Sequence, residues 1–364
     1  MLRVTYQLAC APGEDPAAKA RDVALEQTAE LPASALPAEA PVVGHVEALE
    51  AAGGGRWRAV IAYRPEIVGA DLSQLLNVLF GNVSLKSGIL VTGVEIPREL
   101  LARYGGPALG IDGVRALCGA QRRPILCTAI KPIGLPAAGL AELALRFARA
   151  GMDIIKDDHG LANQASAPFA ERVARCQEAV AQANQATGGR SLYFPNVTAG
   201  PAELRVRVET ARAAGCQGVM VSPMLTGLET IRELAATSGL AILAHPSMTG
   251  AFFRPDHGVR PDVLLGRLFR LAGADGVIYP NPGGRFPWDE ATCRAVNDRL
   301  REPWDGVRRA FPVPGGGVDA ARVPEWVERY GPDTIFLVGS SLYAQGDVER
   351  AAARLVGVVR RYGP

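Results

Sequence analysis

The sequence predicts an α/β protein, with a C-terminal (β/α)8 TIM barrel behind a smaller N-terminal α+β domain of ferredoxin-like kind. Three observations carry this. From Pro124 onward, short apolar runs alternate with longer amphipathic stretches, eight times over about 240 residues. Polar residues in that half gather at the C-terminal ends of the apolar runs, where barrels carry their chemistry. The first part of the chain lacks the rhythm and shows period-two alternation broken by glycine turns. The expected division is residues 1–115 for the α+β domain and 116–364 for the barrel, and 364 residues suit two domains.

In chain order, Leu2 to Ala9 alternates like a strand and Asp15 to Thr28 suits a helix. Pro41 to Leu49 and Trp57 to Tyr63 are expected strands around the turn Gly53-Gly54-Gly55. Asp71 to Gly81 has helical spacing and Gly88 to Ile96 is extended. Tyr104 to Cys118, with four glycines and a proline, is the expected connection. The barrel strands fall at Ile125–Ile130, Asp153–Asp157, Leu192–Val197, Gly218–Ser222, Ala241–Ala244, Gly276–Tyr279, Phe311–Val313 and Thr334–Val338. Helical stretches such as Ala137–Ala150, Pro168–Thr187 and Val348–Arg361 separate them.

Composition narrows the function. The chain is 48% hydrophobic with a formal net charge of +2 and no basic tract, which argues against nucleic acid or an anionic membrane as partner. No apolar run reaches the roughly 18 residues that span a bilayer. Met1 to Tyr6 lacks the apolar core of a signal peptide. Six scattered cysteines without paired spacing read as free thiols of a reducing compartment, so the expected location is the cytoplasm.

Of 39 basic residues only four are lysine: Lys19, Lys86, Lys131 and Lys156. Where any positive charge would serve, this chain uses arginine, so a surviving lysine marks a need for an amine that can lose its proton. Lys131 and Lys156 close apolar runs in the barrel half. The run Gly151 to Gly160 ends in Lys156-Asp157-Asp158-His159, and strand alternation puts Lys156 and Asp158 on one face. His245, after the fifth run, is another of four histidines. Gly315-Gly316-Gly317 and Gly339-Ser340-Ser341 follow strands 7 and 8, where barrels bind phosphate through backbone N–H groups.

Thr128-Ala129-Ile130-Lys131-Pro132, Gly151 to Asp158 and Asn196-Val197-Thr198-Ala199-Gly200 resemble, in order and separation, motifs of the ribulose bisphosphate carboxylase large-subunit superfamily. Asn77 to Asn82 resembles part of that family's N-terminal domain. The departures identify a RuBisCO-like protein (form IV), not a carboxylase. The resemblance implies a carbamate formed from CO2 on Lys156 and a metal held by Lys156, Asp158 and His159. His159 stands where the family has glutamate. Mg2+ prefers oxygen, so Mn2+ or Zn2+ enters the comparison.

The resemblance further makes Lys131, Lys156, His159, His245 and Asn77 catalytic. It assigns Trp57, Asn196, Arg285, Gly316, Gly317, Gly339 and Ser340 to substrate and phosphate. Ile133 and Pro246 replace a lysine and a phosphate-binding arginine, and Arg285 falls near the mobile-loop lysine. The expected substrate is a small phosphorylated keto-sugar or keto-acid, enolised with metal help by an isomerase, enolase or decarboxylase. The expected assembly is a homodimer with shared active sites, Asn77 reaching the partner's substrate. Two alternatives stand beside this: a Schiff-base aldolase using Lys131 or Lys156, and a catalytically retired barrel that binds a phosphorylated ligand.

Overall fold

A computed structural model describes residues 1–31, 33–37 and 43–363. The N-terminal strands are β1 (Leu2–Ala9), β2 (His45–Gly53), β3 (Arg56–Tyr63) and β4 (Ile89–Glu95). Barrel strands follow: β5 (Ile125–Ile130), β6 (Ile154–Asp157), β7 (Leu192–Phe194), β8 (Gly218–Val221) and β9 (Ala241–Ala244). A small hairpin, β10 (Phe253–Arg254) and β11 (His257–Val259), interrupts the barrel. It resumes with β12 (Gly276–Pro280), β13 (Phe311–Gly315) and β14 (Ile335–Leu337).

The first four strands form an antiparallel sheet in the order β4-β1-β3-β2, with helices Pro16–Glu26 and Leu72–Phe80 as its crossovers. This is the ferredoxin-like arrangement, and alternate residues of β1 (Leu2, Val4, Tyr6, Leu8) are buried as period two requires. Of the strand expected from Pro41, Pro41 and Val42 lie outside the described residues, and the described strand is His45–Gly53.

The eight parallel strands follow the order β7-β6-β5-β14-β13-β12-β9-β8. A bridge between Asn196 and Met220 closes the ring from β7 to β8. The interior is packed by Ile125, Cys127, Ile154, Phe194, Met220, Leu243, Ile278, Val313 and Ile335. One position shows how tight it is: any Cβ at Gly218 would overlap the Phe194 ring.

The expected connection contains its own helix, Gly110–Cys118, whose Ile111, Val114 and Cys118 pack with the barrel interior. Asp275, just before β12, fixes it by accepting from the N–H of Leu109 (2.9 Å), Gly110 (2.6 Å) and Ile242 (2.8 Å). Periodicity could not reveal the β10–β11 hairpin, which is too short to carry a pattern. It leaves the barrel after β9 and adds β11 parallel to β4, so one sheet contains strands from both halves of the chain. Arg56 seals that junction on Asp256 at 2.8 Å. Among the described residues no helix is long and apolar enough to cross a membrane.

Candidate active site

Strand β6 separates two adjacent carboxylates. Asp157 points outward, fully buried between barrel and helices. It accepts from Tyr193 Oη (2.7 Å), Asn196 N (2.9 Å) and the Arg172 guanidinium (3.2 Å). Arg172 also donates to the carbonyls of Ala162 and Ala167, stapling the β6 loop to the following helix Phe169–Thr187. Both oxygens of Asp157 are committed to structural partners. Lys156 and Asp158 take the opposite face and open into a cavity of about 1170 Å3 at the C-terminal mouth of the barrel.

Lys156 is 3% exposed, and its Nζ donates to the carbonyl of Asp157 at 3.0 Å. Burial pulls its ammonium below the ordinary lysine value, favouring the neutral amine. Asp158 behaves oppositely. Burial pushes its carboxyl up, but the hydrogen bond from His159, the Lys156 charge and the Gly160 N–H outweigh this and hold it well below the carboxylate range. His159 Nδ1 lies 2.9 Å from Asp158 Oδ1, so Nδ1–H donates to the carboxylate and Nε2 is left uncommitted by that contact. Its ring stacks on His245 at 4.8 Å and 6°.

His245 Nδ1 accepts from Ser247 N (3.2 Å) and meets Ser247 Oγ at 2.8 Å, which places the proton on Nε2. Burial, then the charges of Lys156 and His159, push its pKa down to about 2. Within the stacked pair, His245 is therefore held as a neutral imidazole. Lys131 completes this wall, 5.5 Å above the Tyr343 ring, while Tyr343 Oη donates to the carbonyl of Ala129.

The facing wall is backbone. Gly283 and Gly284 after β12, Gly316 and Gly317 after β13, and Gly339 and Ser340 after β14 all line the cavity. The N–H groups of Gly317, Gly339 and Ser340 find no protein acceptor among the described residues, whereas Gly316 continues the β13–β14 ladder beside Leu337. Gly317 has φ +62° and approaches so closely that a Cβ would lie 2.7 Å from the carbonyl oxygen of Pro282. Lys131 Nζ would lie 3.4 Å from a Cβ on Gly339, so its amine borders this cradle.

Lys131, Lys156, Asp158, His159, His245, Arg285, Gly316, Gly317, Gly339 and Ser340 thus meet around one cavity. Three expected residues do not line it. Asn196 is buried behind the β6 loop: its Nδ2 donates to the carbonyls of His159 and Leu161 (both 2.9 Å), and its Oδ1 accepts from Thr198. It positions His159 from behind. Trp57 lies on β3 in the N-terminal sheet, and Asn77 is exposed on the helix Leu72–Phe80.

Ser341 lines the cavity within the expected Gly339-Ser340-Ser341 group, while Arg322, Asp319 and Trp288 also line it but escaped the sequence reading. They lie beyond the strand ends proper, and no motif marks them. Among the described residues no three His, Cys, Asp or Glu side chains gather as a metal set. An ion at this wall would need an oxygen that unmodified Lys156 lacks. With Lys156 as carbamate, Asp158 and His159 Nε2 make a chemically suitable donor set.

Comparison with known proteins agrees with this architecture. The profile of the ribulose bisphosphate carboxylase large chain, catalytic domain, matches residues 98–358. Ribulose bisphosphate carboxylase-like protein 1 of Rhodopseudomonas palustris is 41% identical, covering 99% of this chain and 98% of that one. A protein of Rhodospirillum rubrum named 5-methylthioribulose-1-phosphate isomerase is 40% identical, covering 98% and 96%. The crystal structure of a Rubisco-like protein from Rhodopseudomonas palustris superposes with a TM-score of 0.92 at 38% identity, covering 100% and 98%.

Proposed function

The chain belongs to the ribulose bisphosphate carboxylase large-chain family as a RuBisCO-like member, and on that footing we propose that it enolises a small phosphorylated keto-sugar without fixing CO2. One observation carries the reading. A desolvated lysine, an ionised aspartate, two stacked histidines and a second lysine face a cradle of free backbone N–H groups across a single cavity. A phosphate held in that cradle leaves the sugar carbons directed at the side-chain wall.

Enolisation requires removing a proton from the carbon beside a carbonyl while negative charge grows on oxygen. Lys131 and His159 Nε2 border the space where that proton leaves. His245, carrying its proton on Nε2, is set to donate to an oxygen. The neutral amine of Lys156 would attack CO2, forming an N–C bond and releasing one proton, which converts an uncharged nitrogen into an anionic oxygen donor. A divalent ion, Mg2+ or, given the His159 nitrogen, Mn2+ or Zn2+, would be held by that carbamate, Asp158 and His159 and would polarise the substrate carbonyl.

Among outcomes of enolisation we favour isomerisation. The Rhodospirillum rubrum relative named for 5-methylthioribulose-1-phosphate matches nearly the whole chain at 40% identity. Trp57 and Asn77, remote from their own cavity, enter in this reading from a second copy, making the unit a homodimer of 1–115 and 116–364 domains. Supplied with 5-methylthioribulose 1-phosphate and Mg2+ or Mn2+, the protein should form an isomeric ketose phosphate. Mixing Asn77→Ala and Lys156→Ala chains should restore part of the lost activity. Labelled CO2 fixed from ribulose bisphosphate above a Lys131→Ala control would overturn the reading.

A further inference from the structure

One cation at the cavity has no assigned work. Arg322 precedes the helix Val323–Tyr330, and its guanidinium reaches back between the loops after β12 and β13. A Cβ on Gly283 would lie 2.8 Å from Arg322 Nη1, while Gly284 and Gly316 approach closely enough that a Cβ on Gly284 would lie 3.3 Å from Gly316 Cα. The guanidinium thus packs on Gly283, the same residue whose backbone lies against Gly317, and it lines the cavity together with the Gly317 turn.

Its surroundings hold it there without consuming it. The guanidinium carbon lies 5.0 Å from the centre of the Trp326 ring, which fixes the side chain by stacking. Its nearest carboxylate is Glu325 at 3.9 Å, and Glu325 already pairs with Arg329 at 2.7 Å. Arg329 continues to Glu290, which also binds Arg294. Three arginines share two glutamates, and the unbalanced charge ends at the cavity on Arg322. Asp319, the carboxylate lining the same end, turns Oδ1 to the N–H of Ala321 and Arg322. None of the guanidinium N–H groups has a protein hydrogen-bond acceptor among the described residues.

We propose that Arg322 is a phosphate-binding residue of this chain, supplying the cationic side of the glycine cradle and thereby selecting a phosphorylated substrate. The proposal rests on the reading of a phosphorylated substrate and adds the group that supplies charge where backbone N–H groups supply only dipoles. Arg285 is exposed, stacks on its own neighbour Phe286 at 5.7 Å, and makes the smaller contribution. Forked guanidinium contacts suit a phosphate, so lysine at 322 keeps charge but loses the paired geometry.

Inorganic phosphate titrated calorimetrically into the full chain tests this directly. Arg322→Gln should weaken binding on the order of tenfold or more, Arg322→Lys should recover part of that loss, and Arg285→Gln should weaken it less than Arg322→Gln. With a turned-over ketose phosphate, Arg322→Gln should raise KM more than it lowers kcat. Phosphate bound equally by wild type and Arg322→Gln, or not bound by wild type, overturns the proposal. So does Arg322→Lys behaving like Arg322→Gln when both unfold at the wild-type temperature. Arg322-dependent phosphate binding without turnover of any ketose phosphate would instead leave this assignment standing and sink the enolisation reading.

Discussion

On the β5–β6–β9 side of the barrel mouth the reactive groups are side chains braced from behind. On the β12–β14 side they are backbone amides exposed by glycine conformations. The first wall needs a hidden layer of polar contacts: Asp157 gathers Arg172, Tyr193 and the Asn196 backbone so that Lys156, Asp158 and His159 project forward. The second needs absence of side chains, since Gly317 allows neither an ordinary φ nor a Cβ. In the proposed reading, chemistry belongs to the braced wall and recognition to the bare one. Mutations should separate the two.

The largest effect should come from Lys156→Arg, which keeps charge but cannot form a carbamate. Turnover should fall on the order of 10³-fold or more, and chelating the wild type should approach the same floor. Asp157→Asn and Asp158→Asn form a sharper contrast. Asp157→Asn leaves Arg172 buried without its anion and should cost about 3–5 kcal/mol in denaturant unfolding. Asp158→Asn should abolish turnover while costing less than about 1 kcal/mol. Equal stability losses would break the distinction between the two faces of β6.

Asn196→Ala removes the brace from the carbonyls of His159 and Leu161. It should cost about 1–3 kcal/mol and lower kcat with little change in KM. Smallest in its effect on turnover and opposite in kinetics is Gly317→Ala: its Cβ meets the Pro282 and Gly283 backbone, so it should cost more than about 1 kcal/mol of stability, and it should raise KM roughly tenfold while kcat changes less. If Gly317→Ala depressed kcat alone, the bare wall would belong to the chemistry after all.

Much of the braced wall was legible in the sequence because it lies on strands. Alternation along Lys156-Asp157-Asp158 gives opposite faces without further information, and scarcity of lysine marks which face matters. The strands expected at Ile125–Ile130 and Ala241–Ala244 match β5 and β9 residue for residue. Features set by tertiary approach were not legible. Nothing in Asn196-Val197-Thr198 says that both amide hydrogens of Asn196 are committed to the β6 loop. Arg322 is one arginine among 35, and only folding brings it beside Gly283. The hairpin Phe253–Val259 pairs through backbone with a strand more than 150 residues earlier, a contact that local pattern cannot encode.

Exchange of a ketose-phosphate proton with solvent tests the central claim most directly. In heavy water, 5-methylthioribulose 1-phosphate should gain deuterium on a carbon beside its carbonyl when wild-type protein, bicarbonate and Mg2+ or Mn2+ are present. Exchange should vanish with chelator and in Lys156→Arg, while Arg322→Gln should slow it at low substrate and recover at saturation. Undiminished exchange by the chelated wild type, with Lys156 unmodified by mass, would contradict the account.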